Sequence, residues 1–182
     1  MAEDDLRWET LDSQIAYSCP GFDVVTDDVR FPDGTEGEYD YLSEPPAVVI
    51  LPFTTEDEVV VIEEWRQAVD RINRGLPVGS VEPEDESLAA AAHRELREET
   101  GFEAESMSQM TTVEPANGIA DSVLHFFVAR DCRPTAAQDL DHNESIRTDT
   151  TSFDELRAAV AADDVRDGRA ALAVLYYELV ED

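Results

Sequence analysis

The run Ala89–Ala92 followed by His93-Arg94-Glu95-Leu96-Arg97-Glu98-Glu99-Thr100-Gly101-Phe102 constrains the fold more than any other part of the chain. Ala, Leu, Arg and Glu lose little side-chain freedom in a helix, so the run predicts a helix over about 88–100. Ser87 is placed to cap its start and Gly101 to stop it. At 3.6 residues per turn Leu88, Ala92 and Leu96 share one face, and Glu95, Glu98 and Glu99 share another. On a solvated face each like-charge pair costs about 0.2–0.5 kcal/mol and reports only solubility. In a cleft, at ~6 Å and an effective dielectric of ~20, repulsion approaches roughly 3 kcal/mol per pair and calls for a divalent cation or a raised pKa. Periodicity leaves both readings open.

A chain of 182 residues with 42% hydrophobic content suits one sizeable domain with its own core. No run approaches the length of a membrane span and the acidic N-terminus lacks a signal-peptide charge pattern, so the expectation is a soluble, cytoplasmic protein with no membrane partner. Cys19 and Cys132 form no CxxC and read as ordinary thiols. The net charge is −30, and all 13 basic residues are arginine. So acidic a surface disfavours nucleic-acid binding, which needs basic groups on phosphate. The acidic residues are spread along the chain rather than gathered in a tail, a distribution that resembles proteins of salt-loving archaea, where molar salt screens self-repulsion.

Short apolar runs at Ile15-Ala16-Tyr17, Phe22–Val25 and Val29-Arg30-Phe31, and Glu38–Leu42 after the turn Pro32-Asp33-Gly34-Thr35, predict an N-terminal antiparallel β extension over 1–45. The rest, 46–182, reads as the main domain. Ala47–Phe53 and Val59–Ile62 predict buried strands, followed by Glu64-Trp65-Arg66 and the bend Leu76-Pro77-Val78-Gly79. Met110–Val113 and Val123–Ala129 predict two more strands flanking the loop 114–122. His125 reads as a core or edge histidine. The polar loop 139–146 carries His142 and Glu144. Ser152-Phe153-Asp154-Glu155 is a capping box opening a helix to about 162. A last helix over 168–180 is expected to turn Ala171, Leu172, Leu175 and Leu179 inward.

Arg94-Glu95-Leu96-Arg97-Glu98-Glu99-Thr100-Gly101-Phe102 resembles the core of the Nudix box. That signature marks hydrolases of nucleoside diphosphates linked to another group, and reads Gly, five residues, Glu, seven residues, then Arg-Glu-apolar-x-Glu-Glu-x-Gly-apolar. Glu86 has the required spacing from Arg94, whereas Gly79 has six residues before Glu86, one more than the pattern. Leu76-Pro77-Val78-Gly79 resembles the Leu-Pro-Ala-Gly of the ADP-ribose pyrophosphatase branch, with Gly75 where that branch has glutamate. Loop 114–122 is similar to its Ser-Pro-Gly-x-x-Asp-Glu loop, matching at Gly118 and Asp121, with Ser122 in place of the glutamate.

The resemblance implies an α/β/α sandwich around a mixed β-sheet, with the N-terminal strands helping to form a homodimer. It implies Mg²⁺, with Mn²⁺ as the alternative, on Glu95, Glu98, Glu99 and the Val78 carbonyl. Arg94 would orient the glutamates and Glu86 would support that network. Glu144 would be the general base, with Glu98 second. Arg66, Gly118 and Asp121 would meet the substrate, although a surface arginine paired with a carboxylate is nearly as good a reading of Arg66, and a solvated acidic loop of Glu144. The implied activity is hydrolysis of ADP-ribose or a related nucleotide sugar to AMP and a sugar phosphate. A nucleoside triphosphate pyrophosphatase and a non-hydrolytic nucleotide-sugar sensor are the competing readings.

Overall fold

The computed structural model describes residues 6–180, which fall into two compact units. One takes in the described residues up to Pro46 with Glu114–Val123, and the other Ala47–Val113 with Leu124 onward.

The first unit is a three-stranded antiparallel sheet, β1 (Glu9–Cys19), β2 (Phe22–Arg30) and β3 (Glu36–Ser43), in the order β1-β2-β3. The strands are longer than their apolar runs predict, because the ladder carries through polar residues such as Asp12, Ser13, Asp27 and Asp28. Two anchors tie Glu114–Val123 to β3: the backbone of Leu42 bonds Ile119 and Asp121 at 2.9 and 3.0 Å, and the Ser43 hydroxyl donates to Asp121 at 2.8 Å.

The second unit is built on an eight-stranded mixed sheet: β4 (Ala47–Thr54), β5 (Glu58–Arg66), β6 (Arg71–Gly75), β7 (Val78–Ser80), β8 (Phe102–Glu103), β9 (Ser106–Val113), β10 (Leu124–Pro134) and β11 (Ile146–Ser152). Its central path runs β11-β5-β4-β10-β8, with β6 beside β5, β7 beside β4 and β9 beside β10. β4 and β10 are parallel, in register from Leu124 on Ala47 to Ala129 on Pro52, and the other pairs are antiparallel.

Both faces of β4 and β10 are covered, which is why these strands read as continuous apolar runs rather than alternating ones. Val48, Ile50, Phe127 and Ala129 pack under Ala91, Ala92 and Leu96 of α1 (Leu88–Thr100). Val49, Leu51, Phe126 and Val128 pack under α2 (Phe153–Ala161) and α3 (Gly168–Val180). Leu96 is fully buried, and truncation to alanine is expected to cost about 2–5 kcal/mol.

Each helix has an identifiable boundary. Ser87 caps α1 by accepting from Ala90 N–H, and Gly101 ends it at φ 74°, where a Cβ would also meet the Ala136 carbonyl oxygen. Ser152 and Glu155 complete the capping box of α2. The inward face of α3 differs from expectation: Ala170, Ala173 and Val174 are buried, while Leu175 and Leu179 are exposed. Small residues let α3 lie close against β4, so the larger leucines are turned away from the sheet.

Cys132 is a buried thiol that burial pushes up to about 12, and it forms no disulfide. No helix among the described residues is long and apolar enough to cross a membrane.

Candidate active site

α1 presents its acidic face to protein rather than to water. Glu99 is 3% exposed and Glu95 9%, while Glu98 is more open. The Leu76–Gly79 bend supplies their contacts. Antiparallel pairing of β7 with β4 sets Val78 opposite Val49, and from there the Val78 N–H donates to Glu99 Oε2 at 3.0 Å. Gly79 is required by close approach: a Cβ built on it would fall within the Glu95 carboxylate.

Arg94 gathers the site. Its Nη1 donates to Glu95 Oε1 at 2.7 Å and to Glu98 Oε2 at 3.1 Å. Its Nε and Nη2 form a fork on Asp85 at 3.1 and 2.8 Å, and Nη2 also reaches the Ser80 carbonyl at 2.9 Å. One guanidinium thus ties the helix to β7 and to the loop before the helix, a task suited to its planar set of donors. Glu86 is exposed, and its neighbour Asp85 makes the bond to Arg94. Asp85 is absent from the sequence-based set of site residues. Its signal was available: five residues separate Gly79 from Asp85, the interval the Nudix box has between its glycine and its first acid. The Arg94 bond holds Asp85 below the usual carboxylate range.

Two further carboxylates act on the cluster. Glu64 of β5 is 8% exposed. Its Oε2 lies 2.7 Å from Arg66 Nη2 yet accepts no hydrogen bond, because the guanidinium approaches off the donor direction; the contact is an ion pair without a directed bond. Glu144, in the loop before β11, bonds back to the Asp141 N–H at 3.0 Å, and its charge is felt at Glu64, Glu95 and Glu99. Arg169 at the start of α3 sets a positive charge near Glu64 and Glu99, and it is held by a fork on Asp167 at 3.1 and 2.6 Å. Glu64 and the Asp167–Arg169 pair were also not anticipated. Glu64 could have been noticed as a charge two residues past the buried run Val59–Ile62.

Burial dominates the electrostatics. It pushes Glu95 up to about 7 against the opposing bond from Arg94, with Glu98 and Glu144 adding repulsion. It pushes Glu99 well above the carboxylate range against the Val78 N–H, with Glu95, Glu144 and Glu64 adding to the rise. Among the described residues no three His, Cys, Asp or Glu side chains stand ready around one point for a metal. Glu95 and Glu98 are drawn to Arg94, and Glu99 to Val78 N–H. The donor chemistry nevertheless fits a hard divalent cation: the donors are carboxylate oxygens, and a double positive charge would offset the repulsion and desolvation that raise Glu95 and Glu99.

Gly118 and Asp121 lie in the first unit. The Gly118 carbonyl accepts from the Tyr39 hydroxyl at 2.7 Å, and Asp121 accepts from Ser43 and from Glu44 N–H. Beside them is a cavity of about 330 Å³ walled by Tyr39, Tyr41, Glu114, Asn117, Ala120 and Asp121. The two tyrosines were not singled out from sequence. His125 on β10 bonds Thr112 Oγ1 at 3.0 Å, and burial lowers its pKa.

With that geometry in view, four likenesses bear on the chain. The NUDIX domain model matches residues 43–175. The ADP-ribose pyrophosphatase of Bacillus subtilis (strain 168) is 27% identical over 177 residues, covering 97% of this chain and 95% of that protein. The methanol dehydrogenase activator of Bacillus methanolicus is 28% identical over 174 residues, covering 95% and 94%. Among solved structures, the crystal structure of an ADP compounds hydrolase has a TM-score of 0.83 over 95% of this chain and 93% of that one, at 23% identity, a likeness of fold.

Proposed function

Because the chain belongs to the Nudix domain family and is a Nudix pyrophosphohydrolase, we propose that it cleaves the pyrophosphate bond of ADP-ribose or a related nucleotide sugar, in a Mg²⁺-dependent reaction giving AMP and a sugar phosphate. The observation that carries the metal-dependent part is the burial of Glu95 and Glu99 together on one face of α1, against the Leu76–Gly79 bend. Two buried carboxylates without a cation are costly to keep ionised. The choice of substrate rests on the ADP-ribose pyrophosphatase relative, which aligns along nearly the whole chain.

Such cleavage needs charge neutralised on the phosphoryl oxygens and a water brought in line with the breaking bond. Mg²⁺, or Mn²⁺ in its place, would be held by Glu95, Glu98, Glu99 and the Val78 carbonyl, and supplies charge neutralisation and a more acidic water. Arg94 keeps Glu95 and Glu98 on the same side of α1, with Asp85, in the role expected of Glu86, fixing the guanidinium. Glu144 is the first candidate to take the proton from the attacking water, because its loop brings it within electrostatic reach of all three buried glutamates; Glu98 is the second. Arg66, once released from Glu64, matches a phosphate of the substrate, and Gly118 and Asp121 belong to a substrate loop. The N-terminal strands are the homodimer contact, with exposed Leu11, Ile15 and Tyr17 on β1 in support. The net charge of −30 supports a salt-rich cytoplasm.

The test is a substrate panel with Mg²⁺ in high salt, products separated by chromatography. AMP and ribose phosphate from ADP-ribose, ahead of any release from nucleoside triphosphates, is the expected result. Faster triphosphate cleavage would replace this reading with a nucleotide-cleaning one, and ligand binding without product would replace it with a sensor.

A further inference from the structure

Arginine is scarce and acid abundant in this chain, 13 against 43 Asp and Glu, so an arginine without a carboxylate partner is unexpected. Nine of the 13 lie within 4.0 Å of a carboxylate among the described residues. Three of the other four, Arg71, Arg74 and Arg166, line a single cavity of about 220 Å³ between β6 and the loop that joins α2 to α3.

The local structure explains how they meet. β6 pairs with β5 from Arg71 on Arg66 to Gly75 on Ile62, which sets Arg71, Asn73 and Arg74 along one short strand. Asp163, at φ 61°, turns the chain after α2 so that Arg166 comes alongside. Arg71 Nε donates to Asn73 Oδ1 at 2.8 Å, and Arg166 Nε donates to the Asp163 carbonyl at 3.0 Å. These bonds use the inner nitrogens and leave the paired terminal nitrogens, which form the fork that matches two phosphate oxygens, without a protein acceptor among the described residues. Asp163 and Asp164 share the cavity wall, but neither carboxylate comes within 4.0 Å of a guanidinium there.

We infer that Arg71, Arg74 and Arg166, with Asn73, form an anion site for a phosphate group, separate from the carboxylate cluster of α1. Its volume suits a phosphate or a phosphate monoester end rather than a whole nucleotide. The shared chemistry is a phosphate dianion, whether free or at the end of a product such as AMP.

The test is calorimetric titration of the whole protein with inorganic phosphate in metal-chelating buffer at fixed ionic strength, so that no metal-bound phosphate contributes. Wild type is expected to bind one equivalent saturably. Arg74→Gln/Arg166→Gln is expected to bind at least tenfold more weakly, with Mg²⁺-dependent turnover and melting temperature kept. Arg166→Gln alone, at an exposed side chain, is expected to weaken binding at least threefold and covers the case in which the double variant does not fold. A parallel titration with AMP identifies the source: competition with phosphate assigns the site to the monoester end of a product, and phosphate binding without AMP binding assigns it to free phosphate. Absence of saturable phosphate binding by wild type, or wild-type affinity in the Arg166→Gln protein, overturns the inference.

Discussion

Gly79→Ala separates the fold from the site more cleanly than removal of a carboxylate. The glycine has no positive φ, so alanine is compatible with its backbone, and the atoms its Cβ would strike belong to the end of the Glu95 side chain. That end is flexible, and β7 need not move: the carboxylate swings aside by more than about 1 Å to restore a normal contact. The displacement breaks the 2.7 Å bond from Arg94 Nη1 and takes Glu95 out of line with Glu99. A misplacement of about 1 Å costs on the order of 100-fold in rate, or about 3 kcal/mol of transition-state stabilisation. The stability cost stays within the ~1–3 kcal/mol of an overpacked site, and falls at the low end because a mobile group yields. The assay is steady-state release of AMP from ADP-ribose at saturating Mg²⁺, alongside urea unfolding of the same samples. The expected outcome is a loss of about 100-fold in kcat/KM with unfolding free energy lowered by about 1 kcal/mol. Wild-type kcat/KM in a folded Gly79→Ala protein would refute the claim that the Glu95 carboxylate must sit in the space a side chain at 79 would fill.

Further predictions concern the clamp, the protonation of the cluster and the surface. Arg94→Lys keeps the charge but loses the fork on Asp85, and is expected to lower kcat/KM at least 100-fold; Asp85→Asn should lose at least tenfold, and wild-type kinetics in either would remove the clamp from the mechanism. In metal-free protein Glu95 has a folded pKa of about 7 against an ordinary 4.5, so its protonated form stabilises the fold. That contribution is fully present below about 4.5 and lost as pH rises through about 7, worth roughly 3 kcal/mol, and Glu95→Gln should flatten the pH dependence of urea stability in that window. The same competition between proton and cation makes Mg²⁺ affinity rise with pH over that range. Raising NaCl from about 0.1 to 2 M screens the self-repulsion of a −30 chain and should raise the melting temperature by roughly 5 °C or more; an unchanged value would mean the acidic surface carries no salt dependence.

The parts legible in the sequence are those where local chemistry and tertiary packing agree. α1 has the start, stop and apolar face its residues predict, since alanine and leucine bury well and Ser87 and Gly101 have the right conformations for its ends. β6 and β11 were not predicted. Ile146-Arg147-Thr148-Asp149-Thr150-Thr151-Ser152 has little apolar alternation, and it is a strand because β5 offers it an edge to pair with. Met110–Val113 marks only the end of β9, whose earlier residues are polar and held by the ladder to β10. At the site, spacing along one helix could place Glu95, Glu98 and Glu99 together. It could not tell which side of α1 was dry, because that depends on the distant residues 76–80. Glu64 and Asp167–Arg169 come to the cluster through sheet pairing and loop geometry, which leave no periodic trace in the sequence, whereas Asp85 is marked only by its interval from Gly79.

The most direct test is a Mn²⁺ titration followed by electron paramagnetic resonance, with wild type and Glu99→Gln side by side in high salt. Saturable binding to wild type, displaced by Mg²⁺ and weakened at least tenfold in Glu99→Gln, is the predicted result. Equal Mn²⁺ affinity in the two proteins would contradict the assignment of the buried carboxylates of α1 as the cation's ligands.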